Sequence, residues 1–144
     1  MIDIERLHRV IENEDRTRGA GTSYANALLS LQCIVDGYDG DPSKYIIVVK
    51  EKQMINQVYD DLIRVANELF NAEEHLRLDI YRGYRGAIVS TDDGRCLGTI
   101  ISVCQSQLER LQGMTLNGAF IDNSVELTIR NKAVLYYLTF NHKQ

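Results

Sequence analysis

The chain has 144 residues, 44% of them hydrophobic and 25% charged, the make-up of one globular domain with a single sizeable core. Its 16 basic and 20 acidic side chains leave a net charge of −4, which argues against a strongly basic nucleic-acid binder, although a local basic patch is compatible with it. No apolar run reaches the roughly 20 residues that span a bilayer, and MIDIERLHRV lacks the basic-then-apolar layout of a signal peptide, so no membrane partner is expected.

Three cysteines (Cys33, Cys96, Cys104) without metal-type spacing point to a reducing, cytoplasmic setting. Residues 2–13 place Ile4, Leu7, Val10 and Ile11 at a helical spacing, with a short strand over His8–Glu12 as the competing reading. From Ser23 to about Val35, the positions of Tyr24, Leu28, Leu31 and Val35 predict a helix, which GYDGDPS ends with turn chemistry. KYIIVV is a continuous β-branched apolar run and predicts a strand buried on both faces. Ile55, Val58, Leu62, Val65 and Leu69 advance in steps of three and four and form one helical stripe.

LRLDIY, GAIVST and CLGTIISV then read as short strands separated by Gly-rich or Asp-Gly turns. SQLERLQG reads as one or two helical turns closed by Gly113, GAFID as another buried strand, and AVLYYLTF as a last strand. The alternation predicts a single α/β domain over residues 1–144, with a mainly parallel central sheet flanked by helices. An antiparallel addition at one edge is expected near residues 77–103.

Such sheets bind ligands at the carboxyl ends of their central strands, which would gather residues 18–23, the end of GAFID and the end of YYLTF. RTRGAGTS is shaped like a phosphate-binding loop: Gly19 and Gly21 permit the backbone angles of an anion nest, and amides at a helix start converge on an anion. Ser23 stands where a loop serine holds Mg²⁺, while Thr22 occupies the place of the lysine that grips the β- and γ-phosphates. A plain helix start is the alternative. GAFIDN ends in Asp122, suited to a metal, and Asn123, whose carboxamide orients a water but takes no proton at neutral pH. Its alternative is an Asp-Asn pair opening a loop.

Together these segments resemble the ATPase domain of the large terminase subunit, the DNA-packaging motor of tailed bacteriophages. RGAGTSYANAL is similar to the terminase loop R-G-S-G-K-S and its helix, and YIIVVKEKQMINQVYDDLIRVANEL to the strand and helix that follow. LERLQGMTLNGAFIDNSVEL resembles an R-L-x-G turn leading into the Walker B strand and an E-L pair, and YYLTFNHKQ resembles the coupling motif. The resemblance covers about residues 16–142 and implies a P-loop NTPase-like fold of the RecA/ASCE type.

Residue by residue, it implies that Arg18, Gly19, Ala20, Gly21, Thr22 and Ser23 line the nucleotide and that Ser23 and Asp122 hold the magnesium of Mg-ATP. Glu126 falls on a second acidic position, and Asn123, Thr139 and Asn141 on positions that sense the nucleotide state. The departures are specific. Thr22 replaces the lysine, Asn123 replaces the catalytic glutamate, Arg16 and Thr17 stand in place of glycines, and no lid or nuclease segment is expected. Losing one electrostatic group commonly costs about 10²–10³ in rate and losing a general base about 10²–10⁴, without simple additivity.

The expectation is therefore a degenerate pseudo-ATPase of phage or prophage origin, in the host cytoplasm, that binds a packaging-motor component or another ATPase. One rival is an active ATPase in which Arg16 or Arg18 supplies the charge and Glu126 the base, completed by a partner. The other is a nucleic-acid-binding module built on Arg82, Tyr84 and Arg85 of YRGYRG with Lys50 and Lys52. His8, His75 and His142 show no metal-site spacing, and Cys96 and Cys104 read as sheet residues.

Overall fold

The computed structural model describes residues 20–70, 76–81, 85–111 and 113–140, with the side chains of 20–22, 69–70 and 140 outside that description. The expected N-terminal helix over 2–13 lies outside the described residues, as do Arg16, Thr17, Arg18, Gly19, Arg82, Tyr84, Asn141 and all three histidines.

In chain order the elements are α1 (Ala20–Asp36), β1 (Ser43–Val49), α2 (Ile55–Val65), β2 (Leu76–Ile80), β3 (Ala87–Thr91), β4 (Cys96–Cys104), β5 (Gly118–Ile121) and α3 (Ile129–Phe140). Short 3-10 turns occupy Lys52–Met54 and Gln105–Leu111, and a π turn extends α2 over Ala66–Phe70. The strands form one sheet in the order β2-β3-β4-β1-β5. β1 is parallel to β4, from Ser43 opposite Gly98 to Val49 opposite Cys104, and parallel to β5, from Tyr45 opposite Gly118 to Val48 opposite Ile121. β3 is antiparallel to both β2 and β4. The α/β class and the antiparallel edge are as expected, but the sheet is mixed rather than mainly parallel.

β1 is central because both of its faces are apolar. Ile47 and Val49 point into a core shared with Leu28, Leu31 and Ile34 of α1 and with Val58, Leu62 and Val65 of α2. Ile46 and Val48 point the other way, into a core with Ile101, Val103, Leu108, Leu111, Leu135 and Leu138. Alternation along one strand therefore sorts the helices: α1 and α2 cover one face, and α3 with the 3-10 turn covers the other. Val58, Leu62 and Val65 of the α2 stripe are buried as its spacing predicts, Ile55 is half-buried, and the Leu69 side chain lies outside the description.

α1 is helical from Ala20, the first described residue and three before the expected Ser23, so Gly21 and Thr22 are helical. It ends where Gly37 N–H donates to the Cys33 carbonyl at 3.0 Å. Gly98 lets β4 run close under α1: a Cβ there would lie 2.6 Å from the Ser43 carbonyl oxygen and 3.2 Å from Ile34 Cγ1.

β5 was expected to be buried. It is half-buried along its length, because among the described residues only β1 flanks it. A reciprocal clamp sets its register, with Asn117 N–H donating to the Lys44 carbonyl at 2.7 Å and Lys44 N–H to Asn117 Oδ1 at 2.8 Å.

Among the described residues the element of the wrong type is AVLYYLTF, expected as a strand and folded as α3. Thr128 and Asn131 cap its start reciprocally: Asn131 N–H donates to Thr128 Oγ1 at 3.0 Å and Thr128 N–H to Asn131 Oδ1 at 3.1 Å. This is a capping box with asparagine in the role usually taken by Glu or Gln. Asn131, Leu135 and Leu138 are its buried positions, a helical spacing hidden within a continuous apolar run.

Candidate functional site

Two places bear on function, one named by the sequence and one found in the structure. In the first, Ser23 donates its hydroxyl to Asp61 Oδ2 on α2 at 2.6 Å. Asp61 is 5% exposed, and its other oxygen accepts from Gln57 Nε2 at 3.0 Å. Ser23 thus joins α1 to α2. Next to it, Tyr24 donates to Glu68 Oε2 at 2.7 Å, with the Arg64 guanidinium 4.4 Å from its ring centre. Burial first, and then the Glu68 carboxylate, push the Tyr24 phenol up to about 12.

Asp122 lies just beyond β5, where the sequence put it, and is 3% exposed. Its backbone N–H extends the β1 pairing by donating to the Val48 carbonyl at 2.9 Å. Its carboxylate takes the Ser124 hydroxyl and the Ser124 N–H, the latter at 3.1 Å, so it closes the turn after the strand. Asn123 and Glu126 are exposed, and the Glu126 carbonyl accepts from Gln105 Nε2 at 2.6 Å.

Thr139 was expected at the end of a strand. It sits on α3 instead, with its hydroxyl donating to the Leu135 carbonyl at 2.9 Å, because the capping box and the Leu135–Leu138 face make that segment helical. Of the two strand ends expected to meet residues 18–23, only that of β5 is a strand end. In YRGYRG, Arg85 stacks 4.0 Å from the ring centre of Tyr81.

The cysteines are unpaired. Burial, reinforced by Asp36, raises the Cys33 thiol above its ordinary value, which makes it a poor nucleophile. Among the described residues, no group of three or more His, Cys, Asp or Glu side chains is arranged to hold a metal ion. No described helix is long and apolar enough to cross a membrane.

The second place is a cavity of about 410 Å³ where β1 and β4 end. Lys50, Glu51 and Lys52 line it from the β1 side, and Ser106, Gln107 and Arg110 from the segment after β4. Gln107 Oε1 accepts from the Cys104 N–H at 3.1 Å, which ties the start of that segment to its own next turn. The basic residues Lys50 and Lys52 stood out in the sequence. Arg110 did not, because nothing local shows that its turn returns beside the end of β1.

No family model matches the sequence, and no curated protein or solved structure matches it either.

Proposed function

We propose that this chain is a binding protein and not a hydrolase: a degenerate, P-loop NTPase-like relative of the terminase ATPase, of phage or prophage origin. It acts by docking on a packaging-motor component or on another ATPase in the host cytoplasm. The terminase and P-loop parts of this reading rest on the order of motifs along the chain. The non-hydrolysing part is carried by the bond from Ser23 to the buried Asp61.

That bond commits one of the two groups that would hold magnesium, and Ser124 engages the other, Asp122. Thr22 and Asn123 lack the charge and the basicity of the residues they replace. Thr139, bonded within its own helix, is not poised at a strand end to report on a nucleotide. Support for a protein partner comes from α3, which exposes Ile129, Tyr136 and Tyr137 at 88%, 66% and 58%. Large apolar side chains left in water along one element favour a partner that covers them.

Phosphate release from Mg-ATP by the purified protein should stay at background, with and without DNA. Turnover above background would give the case to the enzyme completed by Arg16 or Arg18 and Glu126. Magnesium-dependent ATP affinity should be absent from the native chain and should rise in Thr22→Lys, since a lysine at that position of α1 is the cation that the terminase loop uses on the phosphates. No gain in a folded Thr22→Lys protein would show that Gly-Ala-Gly is not a phosphate nest. Co-elution with an intact large terminase subunit checks the partner.

A further inference from the structure

β1 and β4 are neighbouring parallel strands whose chains leave the sheet on opposite faces. From Val49 the chain passes to α2, which packs with Ile47 and Val49; from Cys104 it passes to the 3-10 turn, whose Leu108 and Leu111 pack with Ile46 and Val48. Where adjacent parallel strands diverge in this way, a crevice opens at their carboxyl ends, and open α/β sheets take their ligands there.

We propose that this crevice binds the phosphate groups of a small phosphorylated ligand, held by Lys50, Lys52 and Arg110. Three cations and one carboxylate, Glu51, line the cavity of about 410 Å³, in a chain whose net charge is −4. Among the described residues, none forms an ion pair with Lys50, Lys52 or Arg110. The acidic side chains beside them are engaged elsewhere: Glu51 accepts from Gln53, and Glu109 pairs with Arg130. Like charges gathered in one cleft repel, and a bound anion turns that repulsion into attraction.

The chemistry of the lining selects the ligand class. A cavity of this size suits a small molecule. Surfaces for single-stranded nucleic acid combine a basic groove with aromatic platforms. Here the three cations line one crevice, and among the described residues no aromatic side chain lines it. Recognition therefore falls on the phosphates, with little preference among bases. Among the described residues Glu51 is the one carboxylate in the lining, so the contacts to the phosphates come from the cations.

Pyrophosphate titrated by calorimetry in EDTA and low salt is the direct test. Binding should be measurable and should weaken at high salt. Lys52→Ala and Arg110→Ala should each weaken it about tenfold, as loss of a charge-assisted contact does, while Arg110→Lys should retain most of it. These side chains are exposed, so the variants should fold. Amide resonances of Cys104, Ser106 and Gln107 should shift on titration. No binding, or equal binding by a folded Lys50→Ala/Lys52→Ala/Arg110→Ala variant, would overturn the proposal. So would an oligonucleotide that binds far more tightly than pyrophosphate with a steep salt dependence, which would make the crevice part of a nucleic-acid face. This site stands apart from the terminase reading, whose test depends on magnesium and on Thr22.

Discussion

Ser23 shows how one hydroxyl separates a structural role from a catalytic one. Its bond to Asp61 satisfies a carboxylate that is almost fully buried and whose other side-chain donor among the described residues is Gln57. Removing a donor from a buried charged group exposes the desolvation cost of that group. Ser23→Ala should therefore destabilise the protein by about 1–3 kcal/mol in urea denaturation at neutral pH. A loss below about 0.5 kcal/mol, the range of an inconsequential surface change, would mean that the hydroxyl is spare and available to a metal. Magnesium should leave the midpoint of the native protein unchanged, because a ligand that does not bind the folded state cannot stabilise it.

At the scale of elements, α3 is the informative case. A continuous apolar run of six residues, Ala133–Leu138, fits a buried strand and a buried helix equally well, and periodicity alone does not separate them. The deciding signal lies upstream of the run, in Thr128 and Asn131, whose reciprocal bonds satisfy amides that a helix start leaves open. Ala133 is exposed within α3, so a substitution there probes the backbone and not the packing. Ala133→Pro should cost about 3 kcal/mol, because proline removes a helical hydrogen bond and clashes with the preceding turn. Chemical denaturation giving a loss under about 1 kcal/mol would argue for the extended form. α2, by contrast, was legible from Val58, Leu62 and Val65: the stripe repeats every three or four residues, which no strand can bury on one side.

For the whole molecule, tyrosines tie helix to helix, helix to sheet and strand to strand on one face. Tyr24 holds α1 to the end of α2, Tyr59 of α2 accepts the Ser102 N–H of β4 at 3.1 Å, and Tyr45 of β1 packs against Phe120 of β5. Burial is the main reason that all three phenols are raised above the ordinary value of 10, and Tyr24 is the one pushed to about 12. A folded pKa above the unfolded one means that the neutral form is favoured by folding. That stability is complete below pH 10 and is lost as pH rises through about 12. Equilibrium denaturation should show a decline across this window, and Tyr24→Phe should decline less steeply within it. An unchanged slope in the variant would assign the alkaline loss to other groups.

The sequence by itself determined what burial and period can encode locally. KYIIVV had to lie between two apolar layers, the α2 stripe had to face one of them, and the Asp-Gly turn had to fold β3 back on β4, with Gly94 N–H bonding the Thr91 carbonyl at 2.9 Å. The position of Asp122 at the mouth of a strand parallel to β1 was also legible, because an apolar run ending in a carboxylate marks the point where chain leaves a core. What only the tertiary structure decided are meetings between distant segments. Ser23 finds Asp61 across 38 positions, and Arg110 comes to face Lys50 and Lys52 because β4, and not β5, lies on that side of β1. Strand order and the face on which each connection crosses follow from how all the layers pack at once. No window of the chain contains that balance, so the crevice emerges only when the sheet is assembled.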